Sequence, residues 1–175
     1  GARNQILQLL EYEGYYDGVV EFERHREESS VRLEVLVRKG EKIRLRRQRF
    51  VGNEYYDDDE LEEVIQNKQQ DFLGWMWGRN DGIVKVMELP NDKQRIKDLY
   101  MKAGFLDAKV TDGLLQAEFG SYTAKQRYHI AEGQPYTVSS VDFSQADELK
   151  DKEQLQQLVK IKENEIFNIE TLRND

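Results

Sequence analysis

The chain repeats itself, and an internal repeat limits a fold more tightly than any single motif can. Ile6, Leu9 and Leu10, then Gly14-Tyr15-Tyr16-Asp17 and Val20, recur as Ile96, Leu99 and Tyr100, then Gly104-Phe105-Leu106-Asp107 and Val110, a constant step of 90 positions. Val35, Val37, Gly40, Ile43, Leu45 and Phe50 recur as Tyr128, Ile130, Gly133, Tyr136, Val138 and Phe143, a step of 93, so a small insertion separates the two blocks. A third block keeps the order: Leu61, Val64, Ile65 and Lys68 recur as Leu155, Leu158, Val159 and Lys162.

The period inside each block assigns its structure. Ile96, Leu99, Tyr100 and Ala103 follow the i, i+3, i+4, i+7 pattern of one helix face, and Gly104 ends that helix as a residue tolerant of positive φ. Leu61, Val64 and Ile65 mark another helix, with Asp57 as its cap, Glu60 completing a capping box and Tyr56 placed to staple onto Leu61. Asp151, Gln154 and Leu155 take the same three places in the next copy. The helices of the complete copy are expected near 58 to 69 and 92 to 103. Residues 18 to 23 and 31 to 38, then 108 to 118 and 122 to 131, alternate partly in polarity and predict antiparallel hairpins closed by Gly40 and Gly133. The next strand carries Ile43 and Leu45, then Gln48 and Phe50; its apolar phase slips by one residue, as a β-bulge requires, and Tyr136, Val138, Val141 and Phe143 slip alike.

The repeating unit is therefore strand, helix, helix, strand, strand. It predicts an α+β module, a three-stranded mixed sheet with both helices on one face, because each amphipathic helix needs the apolar partner that the sheet supplies. Residues 42–135 hold one complete copy. Residues 1–41 hold the C-terminal half of another, helix plus hairpin, and 136–175 the N-terminal half of a third, strand plus helix. Each half leaves an apolar face in water, worth about 25 cal/mol per Å² if covered, so two chains are expected to be able to exchange ends in a domain swap.

Composition narrows the function. At 175 residues the chain falls within one to two domains, and with 38% hydrophobic and 34% charged residues it is polar yet able to fold. A net charge of −8 opposes binding to a phosphate backbone, so no nucleic-acid partner is expected. The absence of cysteine removes disulfides, thiolate nucleophiles and Cys-ligated zinc. No apolar run reaches the ~18 residues that span a bilayer, and Gly1-Ala2-Arg3 reads as neither signal peptide nor targeting segment, so a soluble segment is expected.

The strand ending Phe50-Val51-Gly52-Asn53, the capped helix with Leu61, Phe72-Leu73-Gly74-Trp75, Arg95-Ile96-Lys97-Asp98-Leu99-Tyr100, Gly104-Phe105-Leu106-Asp107-Ala108-Lys109-Val110 and Glu132-Gly133-Gln134-Pro135-Tyr136 together resemble the POTRA domains of BamA-type outer-membrane assembly proteins. The likeness covers most of the chain. It departs at Gln48, where the family usually has an apolar residue, and at Ser144-Gln145-Ala146, which replaces a Gly-Asn turn. The resemblance implies a binding scaffold and no catalysis: a periplasmic array, attached to the outer membrane through a barrel outside this chain, that holds unfolded outer-membrane protein precursors and docks accessory lipoproteins by edge-strand addition. A two-partner secretion transporter carries the same modules. The KH fold of RNA-binding proteins shares the βααβ core, but the region between the helices here, Gly74 to Gly82, has no GxxG.

Edge addition needs strands whose outer N–H and C=O groups lack partners. The first strand after each Gly-aromatic turn fits: Val19, Val20, Glu21 and Phe22 in one copy, Lys109, Val110 and Thr111 in the other. Arg44, Arg46, Arg47 and Arg49 form a basic run, unusual in an acidic chain, that reads either as a solvated strand or as a docking surface for an acidic partner or anionic head groups. Trp77, in Trp75-Met76-Trp77, reads as a core cap or as part of an exposed partner patch. Asp57-Asp58-Asp59-Glu60 lacks the Gly and distal Glu of a calcium loop and suits the first turn of a helix. His25 and His129 have no Ser, Cys or carboxylate at catalytic spacing. No catalytic, cofactor-binding or metal residue is assigned.

Overall fold

A computed structural model describes residues 1–71, 81–111, 113–141 and 162–168. In chain order the elements are α1 (Ala2–Tyr12), β1 (Val19–Arg26), β2 (Val31–Arg38), β3 (Arg44–Val51), α2 (Asp58–Val64), a 3-10 turn (Val86–Glu88), α3 (Leu89–Lys102), β4 (Lys109–Val110), β5 (Leu114–Glu118) and β6 (Thr123–Ala131). From β3 to β6 this is the strand, helix, helix, strand, strand order that the repeat predicts.

The last strand lies in the middle of its sheet. β6 pairs parallel with β3 on one side and antiparallel with β4 and β5 on the other. β4 and β5 are two segments of the same edge: Val110 stands opposite Ile130 and Leu114 opposite Arg127, so four steps on the edge match three on β6. The sheet is mixed and three strands wide. The β3 register shifts between Leu45 and Arg47, where the slip in apolar phase places a bulge.

Strict alternation along β6 sorts its side chains: Ala124, Gln126, Tyr128 and Ile130 are buried, while Lys125, Arg127 and His129 are exposed. Both helices pack on the buried side. Leu61 and Ile65 from the α2 segment and Ile96 and Tyr100 from α3 meet Phe50, Tyr128, Ile130 and Val110 there, and Phe50 stacks on Tyr128 with ring centroids 5.6 Å apart. Removing one such large apolar side chain from water is worth about 2 kcal/mol. The capping box at α2 is formed in both directions, Glu60 N donating to Asp57 Oδ1 at 2.8 Å and Asp57 N to Glu60 Oε2 at 3.0 Å.

Two helix boundaries differ from the periodic pattern. α2 stops at Val64 instead of near 69, because Ile65 turns extended and the next two backbone N–H groups donate to the Asp92 carboxylate. α3 begins at Leu89 instead of near 92, with Pro90 in its first turn, where a missing N–H costs nothing. Leu155, Leu158 and Val159 of the expected helix and the turn at Ser144-Gln145-Ala146 lie outside the described residues. The segment from Tyr136 to Val141 and residues 162 to 168 are joined by an antiparallel bridge, Thr137 with Ile166.

Upstream, β1 and β2 form a two-stranded antiparallel ribbon, Val19 opposite Arg38 and Val31 opposite Arg26. Val31, Leu33, Val35 and Val37 on β2 are exposed. The joins on either side of residues 42–135 share two kinds of contact. Arg44 bridges Ile83 as Thr137 bridges Ile166, and Tyr122 donates to Asp17 at 2.8 Å as Tyr136 donates to Asp107 at 2.7 Å. Gly104, at φ +90°, leaves no room for a side chain: a Cβ there would lie 2.5 Å from Ile166 Cγ2.

Candidate peptide-binding edge

Lys109, Val110 and Thr111 lie on the edge of the mixed sheet. Thr111 N donates to His129 O at 2.9 Å. Antiparallel strands alternate the side to which successive residues present both N–H and C=O, so the backbone groups of Lys109 and Thr111 face β6 and those of Val110 face outward. The Val110 side chain is buried among the core residues, so its outward backbone is held on a packed element and not on a mobile tip. β5 extends the edge by five residues, Leu114 to Glu118. It belongs to the same candidate site. The sequence signal for it was the long alternating run, which does not show that the register steps by one between the two segments.

Val19, Val20, Glu21 and Phe22 open β1 and pair with Val35 to Arg38 of β2. Among the described residues no strand pairs with the other side of β1. Val20 is buried, and Arg38 reaches Glu21 across the ribbon at 2.9 Å. Both segments chosen from sequence thus stand at strand edges, one on a complete sheet and one on a ribbon.

The basic run divides. Arg44 donates to Asp81 O at 2.7 Å, and Arg46 sits at the bulge, whereas Arg47 and Arg49 share the exposed side of β3, away from the helices. Trp77 lies outside the described residues. Glu23, His25 and Glu34 bring three ligand-type atoms within 4.8 Å of one another on the ribbon, with His25 Nε2 3.3 Å from Glu34, an ion-pair cluster whenever the imidazole is protonated. His129 is exposed on β6.

Two carboxylates that sequence reading did not single out, Glu132 and Asp92, and the glutamine that it did, Gln48, hold the edge's scaffold together. Glu132 Oε1 accepts from Tyr100 Oη at 2.7 Å and from the backbone N–H groups of Glu54 and Tyr55 at 2.8 and 2.9 Å, tying α3 and the turn after β3 to the end of β6. Burial first, and then this neighbouring carboxylate, push the Tyr100 phenol far above the ordinary tyrosine range; burial does the same to Tyr128. Asp92, fully buried, accepts from Gln66 N, Asn67 N, Asn67 Nδ2 and Arg95 Nη1 at 2.7 to 3.1 Å. Gln48, the departure from the family's apolar pattern, donates to buried Gln126 Oε1 and to Asn67 O, both at 2.7 Å. A polar residue is tolerated there because the partner strand supplies a polar mate.

Residues 43–130 match the family model POTRA, described as a surface antigen variable number repeat. The chain is 23% identical over 162 residues to a putative outer membrane protein assembly factor of Treponema pallidum (strain Nichols), an alignment covering 90% of this chain and 18% of that protein's length. It is similar in fold to the crystal structure of POTRA domains 3 to 5 of Haemophilus influenzae BamA, at a TM-score of 0.51 and 16% identity, covering 97% of this chain and 65% of that one.

Proposed function

The chain belongs to the POTRA family, and from that premise we propose that it is a periplasmic, non-catalytic scaffold of an outer-membrane protein assembly factor that receives extended segments of unfolded outer-membrane proteins at its sheet edges. The reading takes 42–135 as the complete module and 1–41 and 136–175 as the adjoining halves. Accessory lipoproteins dock on the same array.

The observation that carries the reading is the Val110 edge. A strand whose side chain is in the core and whose N–H and C=O face outward offers a rigid backbone template, and backbone pairing accepts a client whatever its side chains. Such tolerance is what a receptor for many β-barrel precursors requires. The Treponema relative, named as a putative outer membrane protein assembly factor, supports the same assignment.

Substituting Val110→Pro removes the outward donor. Binding of a fluorescent peptide from a barrel strand should weaken by about tenfold, the cost of roughly one net backbone hydrogen bond. Because Val110 is buried, a second arm keeps the fold untouched: N-methylation of alternate peptide amides should abolish binding to the unaltered chain in one register. Undiminished affinity in both arms would refute the edge.

A further inference from the structure

A second binding surface lies on the helix-free face of the central sheet, and it goes beyond the edge site. Arg47 and Arg49 on β3 stand beside Lys125 and Arg127 on β6 in the parallel register, Arg47 opposite Lys125 and Arg49 opposite Arg127. On the other side of β6, Gln116 faces Lys125 and Leu114 faces Arg127. Strand alternation sends all six to the solvent side, since the intervening Gln126 and Tyr128 are buried. They line a shallow depression of about 290 Å³.

The charge arrangement runs against stability. Like charges directly opposite each other across strands are unfavourable, and this face has two such pairs in succession. Among the described residues no carboxylate forms an ion pair with any of the four cations. The nearest acid by register, Glu118, stands opposite Thr123, at the end of the grid. This concentration occurs in a chain of net charge −8 whose first helix turn after β3 is Asp58-Asp59-Glu60.

We infer that this face binds an acidic segment of a partner protein in extended conformation, with carboxylates at alternate positions. Alternate residues of a strand lie about 6.7 Å apart on one side, the same interval that separates Arg47 from Arg49 and Lys125 from Arg127 along their strands. Two such carboxylates therefore meet both rows at once. Guanidinium groups grip each carboxylate through paired N–H donors, and the Gln116 amide adds a neutral donor. Leu114 gives the segment one apolar contact beside the charges.

An anionic bilayer is the less favoured occupant. A membrane surface acts on the whole chain within a Debye length, where a net charge of −8 is repelled, while a peptide senses only the local grid.

The test uses the whole chain and a short fluorescent peptide of alternating glutamate and threonine, its glutamine counterpart, and vesicles containing phosphatidylglycerol. The glutamate peptide should bind at about 50 mM salt and weaken several-fold at about 300 mM, as screening requires. The exposed double substitution Arg49→Gln with Arg127→Gln should cost at least about tenfold, while Glu63→Gln, exposed on α2 across the sheet, leaves binding unchanged. Circular dichroism and the thermal midpoint check that each variant is folded. Equal binding of the glutamine peptide, or undiminished binding by the double variant, overturns the proposal. So does binding to the vesicles without binding to the glutamate peptide.

Discussion

Glu132 shows how one side chain can hold three segments. Its Oε1 accepts the Tyr100 hydroxyl and two backbone N–H groups of the turn after β3, so a carboxylate at the end of the central strand positions a helix and the start of the chain's path to α2. The phenol that it holds has a consequence for pH. Tyr100 and Tyr128 ionise well above the ordinary tyrosine value of 10.0 in the folded protein, chiefly through burial. A folded-state value above the unfolded one means that the folded chain binds more protons above about pH 10, so stability is full below that pH and is lost as pH rises beyond it. The urea midpoint should be level across neutral pH on account of these groups and fall above about pH 10, with tyrosinate absorbance lagging until the chain unfolds. Nine tyrosines that all titrate at the ordinary value in the folded chain would contradict this. None of it was legible in the sequence, because Glu132 lies next to Gly133 in an unremarkable turn and Tyr100 meets it only after α3 has folded back over β6.

Asp92 decides where one helix stops and how the next is seated. Its carboxylate takes the N–H groups of Gln66 and Asn67 just past α2 while it sits in the first turn of α3, paired with Arg95 at 2.7 Å. Asp92→Ala would leave buried donors without partners and should lower the unfolding free energy by about 3 kcal/mol or more in chemical denaturation. A loss under about 1 kcal/mol would show that the network is ornamental to the fold. The pattern of Leu61, Val64 and Ile65 predicts α2 and its cap, both of which the structure contains, but it overruns the C-terminus. Local periodicity cannot register a carboxylate 26 positions away that captures the next N–H groups. The bulge in β3 and the Gly-ended helix were legible because apolar phase and glycine record them locally. The meeting of Arg47 and Arg49 with Lys125 and Arg127 was not, since parallel register between β3 and β6 joins residues 78 apart, as Gln48 and Gln126 show.

At the scale of the molecule, one side of each join follows the repeat. The residues related by the repeat, Asp17 and Asp107, each accept a tyrosine hydroxyl, and the glycine before each turn lies against an isoleucine, Ile83 in one case and Ile166 in the other. The exposed β2 face carries the proposal of a domain swap, residues 136–175 of one chain completing 1–41 of another. Light scattering should then detect a dimer that dissociates on dilution; a monomer at every concentration excludes it. The central claim, that the Val110 edge receives an extended client, is tested most directly by amide hydrogen exchange with and without a barrel-strand peptide. Val110 N–H should exchange quickly in the free chain and slow markedly when peptide is added, while Thr111 N–H, already bonded to His129 O, changes little. An unchanged Val110 rate at saturating peptide would contradict the account.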